Sequence, residues 1–322
     1  MSASPQENRV PVLVTGGSGF LGKHILAMLM KSHRGPITVV DHNPLPKEFA
    51  EGVTFIKGDF FDPRVLSKAI RPHSIVVHLA GTSNQATAEK DPTKDAEISI
   101  VGTLRLLDAA VAKKISKFVF LSSAPAVYGE ASKLPVEVDA LPNPRSAYGA
   151  MKLAIEQYVR HYAVKNDFSY VVVRSANAYG PGQFAMTHGV VSKFAFNVLT
   201  GKPVEIWGSP DMKRDFIFVE DLAAAVVSSL RAKVSNVVLN VGSGKGTTLR
   251  DLIREVERAS GRKAKVTIKE MRLIDVPDLY FSIKRAKSIL SWKPETNLRE
   301  GVRETVRWIR DFVISPNTAK DA

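Results

Sequence analysis

Two residues four apart, Tyr148 and Lys152, have the chemistry to exchange a proton with a hydroxyl group. On a helix that spacing puts both side chains on one face. A free tyrosine has a pKa of about 10 and is a poor base at neutral pH. A neighbouring ammonium favours the phenolate, which accepts a hydroxyl proton and hands it back. By spacing alone the bland alternative, a solvated Tyr–Lys pair on a helix surface, is the commoner one. Upstream, Leu121-Ser122-Ser123-Ala124 closes an apolar run. Hydroxyls at the carboxyl end of a parallel strand face the ligand crevice of an α/β sheet, although they also bond to local backbone.

A second constellation lies near the start. Thr15-Gly16-Gly17-Ser18-Gly19-Phe20-Leu21-Gly22 follows an apolar run and opens a helical pattern. Gly16, Gly19 and Gly22 stand three apart. One makes a tight turn, one lets the backbone approach a pyrophosphate, and one lets helix and strand pack closely. The helix N-terminus then offers free N–H groups and the positive end of its dipole to the phosphates. Asp41, 19 residues after Gly22, ends the second apolar run. A carboxylate there accepts the ribose hydroxyls of an adenosine and repels a 2′-phosphate, which selects NAD over NADP. Asp59, after Lys57-Gly58, is placed to meet the adenine.

These residues need elements to hold them. Short apolar runs at Val10–Val14, Ile37–Val40, Thr54–Ile56, Ile75–His78, Phe118–Leu121 and Tyr170–Val173 have the content of strands buried on both faces. Helical patterns at 20–33, 63–71, 92–113 and 146–165 separate them. The alternation predicts an α/β fold with a Rossmann-type doubly wound parallel sheet. The last third differs. Pro and Gly cluster at 180–182 and 201–210, read as loops. Helices are expected at 219–231, 247–260 and 298–313, with strand-like segments Val237–Val241 and Lys265–Ile268. The expected division is an NAD-binding domain over 9–178 plus about 215–242, and a smaller C-terminal α/β substrate-binding lobe over about 179–214 and 243–314.

The 322 residues are 44% hydrophobic, enough for a buried core. There is no cysteine, which excludes disulfides, thiolate nucleophiles and zinc-thiolate sites. The seven histidines show no zinc-binding spacing, and no metal is expected. A net charge of +13 favours anionic partners such as phosphorylated small molecules. Lys and Arg are scattered with no basic block, so nucleic acid is not an expected partner. No apolar run reaches the roughly 18 residues of a membrane span. Met1–Asn8 is polar and unlike a signal peptide, so a cytoplasmic protein without a membrane partner is expected.

In combination the motifs resemble the extended short-chain dehydrogenase/reductases, and among them the NAD-dependent nucleotide-sugar epimerase/dehydratase family with its UDP-glucose 4-epimerases. The resemblance covers about residues 9 to 313. It rests on TGGSGFLG at 15–22, Asp41, GD at 58–59, HLAG at 78–81, SSAPAVYG at 122–129 and YGAMK at 148–152. It continues through NAYGPG at 177–182, KRDFIFVEDLA at 213–223, NVGSG at 240–244 and SWKP at 291–294. It implies an isomerase that oxidises the 4-hydroxyl of a UDP-sugar to a 4-keto intermediate and reduces it from the other face, with NAD retained. Tyr148 would be the general base and acid. Lys152 would hold the nicotinamide ribose and lower the tyrosine pKa. The implied cofactor contacts are Gly16, Gly19, Phe20, Leu21, Gly22, Asp41, Asp59, Phe60, Leu79, Ala80, Gly81 and Ser122, with Tyr148 and Lys152. On the substrate side the resemblance implies Asn177 near the phosphates, Arg214 and Arg272 on the diphosphate, and Asp275 on the uridine ribose. Leu279 would line the sugar pocket, its size leaving both hexose and N-acetylhexosamine open. A homodimer through the helices at 92–113 and 146–165 is also implied.

The chain departs from the family pattern in places. The Ser or Thr four positions before the tyrosine of the VYG segment is Ala124 here, and Ser123 is the hydroxyl expected to replace it. Ser99 stands for an asparagine that often meets NAD, Ala147 for a proline, and Ser282 for an aspartate. Pro125 and Ala126 occupy the Asp-Glu positions of the 4,6-dehydratases, and Ala126 also replaces the glutamate of UDP-glucuronate decarboxylases. Neither residue has a proton to offer. Asp41 argues against an NADPH-consuming reductase, and Arg214 and Arg272 against a steroid substrate. A non-catalytic NAD- or RNA-binding relative would have no need of Tyr148 and Lys152.

Overall fold

The structure is a computed structural model that describes residues 9–81, 85–184, 189–234, 236–271 and 276–315. The first six apolar runs form strands β1 (Val12–Thr15), β2 (Ile37–Asp41), β3 (Thr54–Lys57), β4 (Ile75–His78), β5 (Lys117–Ser123) and β6 (Ser169–Ser175). Shorter strands follow as β7 (Asn177–Tyr179), β8 (Val204–Trp207), β9 (Lys213–Arg214) and β10 (Phe216–Phe218). The last are β11 (Val237–Val241), β12 (Thr247–Thr248) and β13 (Val266–Lys269). Seven of these make one sheet in the order β11-β6-β5-β4-β1-β2-β3, with every neighbouring pair parallel. The order reverses between β1 and β4, and the carboxyl ends of the strands open a crevice there.

The helices are α1 (Phe20–Ser32), α2 (Pro63–Ala69), α3 (Gln85–Lys90), α4 (Pro92–Ala96), α5 (Gly102–Ala112) and α6 (Ala124–Tyr128). A π turn over Glu97–Val101 joins α4 to α5 without a break. Beyond them lie α7 (Ala147–Asn166), α8 (Val190–Thr200), α9 (Val219–Arg231), α10 (Leu249–Ser260), α11 (Lys284–Leu290) and α12 (Leu298–Ile309). Side chains of a strand alternate between faces, and the core divides accordingly. Val12, Val14, Val39, Val77 and Val119 pack with Ile25 and Leu29 of α1 and Leu222 and Val226 of α9. Leu13, Val40, Val76, Phe118 and Phe120 pack on the other face with Leu106 of α5 and Ile155 of α7. A third core joins Phe194 of α8, Leu252 of α10 and Val306 of α12 to Val204 and Ile206 of β8.

Two sequence expectations need correction. The stretch 201–210, expected to be a loop, contains β8, which pairs with β13 in parallel register from Val204↔Val266 to Trp207↔Lys269. A strand so short exists through its distant partner rather than through local preference. Helices α3, α6, α8 and α11 are additional to those expected. Val237–Val241, expected as strand-like, completes the main sheet beside β6.

Candidate active site

A cleft of about 910 Å³ opens at the carboxyl ends of the central strands. Its lining contains every residue expected to hold the cofactor: Gly16, Gly19, Phe20, Leu21, Gly22, Asp41, Asp59, Phe60, Leu79, Ala80, Gly81, Ser122, Tyr148 and Lys152. The glycines act as their spacing predicts. Gly16 turns at φ +78°, and a Cβ on it would lie 2.8 Å from the backbone nitrogen of Ala80. A Cβ on Gly22 would lie 2.4 Å from the carbonyl oxygen of Gly16, so only glycine lets α1 seat on the loop. Gly19 is the N-cap of α1 and brings no capping side chain, and the first turn holds no acidic residue. Its N–H groups suit an anion. The Asp41 carboxylate is fixed by two backbone donors, the Ser18 N–H to Oδ2 at 2.9 Å and the Asn43 N–H to Oδ1 at 3.0 Å. Each oxygen keeps a lone pair for a ribose hydroxyl. His42 Nε2 lies 2.6 Å from Asp59 Oδ1 at the same end. These residues fit a dinucleotide without a 2′-phosphate.

Tyr148 and Lys152 occupy the first two turns of α7. The Ser146 hydroxyl caps that helix by accepting from Gly149 N–H at 3.1 Å, and Glu89 of α3 accepts from Ala147 N–H at 2.6 Å. Lys152 Nζ donates to the Leu121 carbonyl at 3.1 Å and stands 4.9 Å from the Phe120 ring centre and 5.6 Å from that of Tyr148. Burial pulls Lys152 down to about 8, against the opposing pull of Glu156 and Asp95. Burial first, and then the Asp95 carboxylate, push the Tyr148 phenol up to about 12. The lowering expected from Lys152 is not what the site shows: the phenol stands above its ordinary value and keeps its proton at neutral pH.

His78, in the HLAG segment, is a strut. Thr103 donates its hydroxyl to the Ser99 carbonyl, so it accepts from His78 Nε2 at 3.0 Å, and Nδ1 in turn accepts from Thr15 Oγ1 at 2.7 Å. Burial and then the Lys152 charge hold the ring's pKa down at about 3, so it stays neutral.

Three buried charged residues beside the pair are not legible in the motifs. Arg174 of β6 grips Glu156 of α7 through Nε at 3.1 Å and Nη2 at 2.6 Å, and Ser122 Oγ donates to Glu156 Oε1 at 2.5 Å. The Arg174 guanidinium lies 4.8 Å from the Tyr128 ring centre. Two signals were available: Glu156 stands four after Lys152 on the same helix face, and Arg174 is a lone cation in a valine-rich strand. Asp95, 3% exposed on α4, had no such signal.

On the substrate side Ser123 lines the cleft at the end of β5. Ala124 is completely buried at the start of α6. Asn177, Arg214 and Leu279 are not brought to the cleft wall. Asn177 Nδ2 donates to the Asp215 carbonyl at 2.9 Å. Arg214 donates to the carbonyls of Val276 and Pro277, each at 2.7 Å. Leu279 is 1% exposed in the core, where its backbone pairs with Lys213 and Asp215. Arg272 and Asp275 lie outside the described residues. Among the described residues, no helix is long and apolar enough to cross a membrane, and no group of His, Asp and Glu is arranged to hold a metal ion.

The chain is similar to known proteins. The profile of the NAD-dependent epimerase/dehydratase family matches residues 12–242. The UDP-glucose 4-epimerase of Mycolicibacterium smegmatis is 31% identical over 308 residues, 93% of this chain and 98% of that one. The crystal structure of UDP-glucose 4-epimerase with UDP-glucose from Thermotoga maritima is similar with a TM-score of 0.88 at 32% identity, covering 94% of this chain and 99% of that one. For the UDP-glucose 4-epimerase of Thermus thermophilus in complex with NAD the TM-score is 0.86 at 32% identity, over 94% and 100%. The chain thus belongs to the NAD-dependent epimerase/dehydratase family, with NAD as its cofactor.

Proposed function

We propose that the chain interconverts the C4 epimers of a UDP-sugar of the UDP-glucose/UDP-galactose type. The observation that carries this reading is the convergence of Tyr148, Lys152 and Ser123 on one wall of the dinucleotide cleft. When bound, NAD supplies a reversible hydride acceptor and, in its oxidised form, a positive ring that favours a phenolate. Tyr148 Oη would take the proton of the sugar 4-hydroxyl when C4 is oxidised and give it back to the 4-oxygen when the 4-keto sugar is reduced from its other face. The balance is redox-neutral. Lys152 holds the ribose hydroxyls and adds positive charge beside the phenol, and Ser123 donates to the 4-oxygen in place of the residue that Ala124 has replaced. The lobe of about 179–214 and 243–314 takes the nucleotide and sugar. Asn177, Arg214, Arg272, Asp275 and Leu279 are its implied contacts.

The test is incubation of the purified protein with UDP-galactose, with and without added NAD, followed by NMR of the anomeric proton. Appearance of UDP-glucose in both samples supports the reading and a retained cofactor. No conversion by protein that demonstrably holds NAD overturns it for this sugar pair.

A further inference from the structure

Four charged side chains are buried behind the cleft: Arg174 at 5% exposure, Lys152 at 7%, and Glu156 and Asp95 at 3% each. Charges removed from water must be balanced locally. Glu156 is the stronger of the two carboxylates acting on Lys152, but it is shared with a second cation. Its oxygens take the Arg174 guanidinium and the Ser122 hydroxyl. Lys152 Nζ donates to the Leu121 carbonyl and faces the rings of Phe120 and Tyr148, none of which carries a negative charge while the phenol keeps its proton. Asp95 is the remaining anion. It sits on α4, which packs against α7. The Ser99 side chain hydrogen-bonds its carboxylate, and Oδ1 has no hydrogen-bond partner among the described residues. Burial pushes the Asp95 carboxyl up, and the Lys152 charge and the Ser99 hydrogen bond pull it back down. Two cations and two anions balance only if Asp95 is ionised.

The backbone is shaped to keep it there. The π turn over Glu97–Val101 lies between Asp95 and Thr103, and Asp95, Ser99 and Thr103 are all buried. Such turns recur at functional sites. The other titratable groups of this helix, Asp91, Lys94 and Glu97, are exposed to solvent, as are Glu89 and Lys90 of α3. From α7 the groups around it are Tyr148, Lys152 and Glu156, and His78 of β4 is neutral.

We infer that Asp95 is the counter-charge that keeps Lys152 an ammonium inside the site, a positioning residue for the Tyr148–Lys152 pair. The inference rests on the reading of that pair as the proton-transfer machinery. The Asp95 carboxylate favours the ammonium of Lys152 and also the protonated phenol of Tyr148. Removing its charge therefore moves both titrations to lower pH.

The experiment uses the full chain labelled with 13C at the lysine ε carbon, the Lys152 resonance being assigned by its loss in Lys152→Arg. The midpoint, near 8 in the unsubstituted protein, is expected to fall by about half a pH unit or more in Asp95→Asn and to return in Asp95→Glu. Both limbs of the pH profile of kcat/KM should move to lower pH together in Asp95→Asn, which lost packing alone would not cause. An unmoved Lys152 midpoint in folded Asp95→Asn overturns the inference, and so does Asp95→Glu titrating like Asp95→Asn. Should Asp95→Asn not fold, 13C labelling of the aspartate carboxyls decides: a carboxylate at position 95 between pH 6 and 8 supports the counter-charge, and a carboxylic acid there refutes it. The lysine titration needs no sugar. A failure of epimerisation with every UDP-sugar would count against the proposed function while leaving the Lys152 result standing.

Discussion

Among the described residues that line the cleft, Tyr148 carries the one phenol. Tyr148→Phe should lower turnover of UDP-galactose by about a thousandfold or more while the purified protein still carries NAD. Measuring kcat alongside bound nucleotide separates the two effects. Ser123→Ala should cost roughly tenfold to a hundredfold in kcat if its hydroxyl serves the 4-oxygen; an unchanged rate removes Ser123 from the mechanism. Lys152 also marks the pH dependence of stability. Its folded value is depressed to about 8 from the ordinary 10.5. Between these limits the unfolded chain binds more protons than the folded one, so this residue's contribution to stability rises with pH across the window. Lys152→Met should flatten that rise, read as urea midpoints between pH 7.5 and 10. At this scale the sequence was legible where chemistry depends on short spacing, as in Gly16 to Gly22, Asp41 and Tyr148 with Lys152. Arg174 and Asp95 were not legible, because their roles depend on partners that only the tertiary fold brings near.

Elements were legible where burial writes a pattern. The central strands of the main sheet are buried on both faces and therefore read as short apolar runs, whereas the edge strand β3 is exposed at Thr54 and Lys57. The polar stripe of helix α8 is only Lys193, Asn197 and Thr200 among otherwise mostly apolar residues, a weak mark of a surface helix. Strand β8 lies among prolines and glycines and depends on β13 some sixty residues later. The loop that joins β1 to α1 makes the sharpest prediction of this scale. A methyl group on Gly22 would meet the backbone oxygens of Gly16 and Gly17 at 2.4 and 2.5 Å, and backbone cannot yield as a side chain can. Gly22→Ala should therefore destabilise by about 1–3 kcal/mol, and the protein should purify with little NAD. A thermal melt together with the bound-nucleotide content checks both.

The whole molecule joins two cores on the faces of one sheet to a third core in the lobe. Tyr158 and Val164 of α7 are exposed, at 42% and 74%. With α5 and α7 as the proposed dimer surface, size-exclusion chromatography with light scattering should give twice the mass of one chain at micromolar concentration, and a monomer would remove that surface from consideration. The path of the chain carries a different consequence. It leaves the main sheet after β6, contributes α8 and β8 to the third core, returns to lay β11 beside β6, and leaves again for α10 and α12. The third core is therefore not built from a continuous stretch of the chain. A single recombination point within this region would give a protein whose third core mixes the side chains of both parents. This core could be exchanged intact only by trading two segments at once, which favours change by point substitution within it over the swapping of modules.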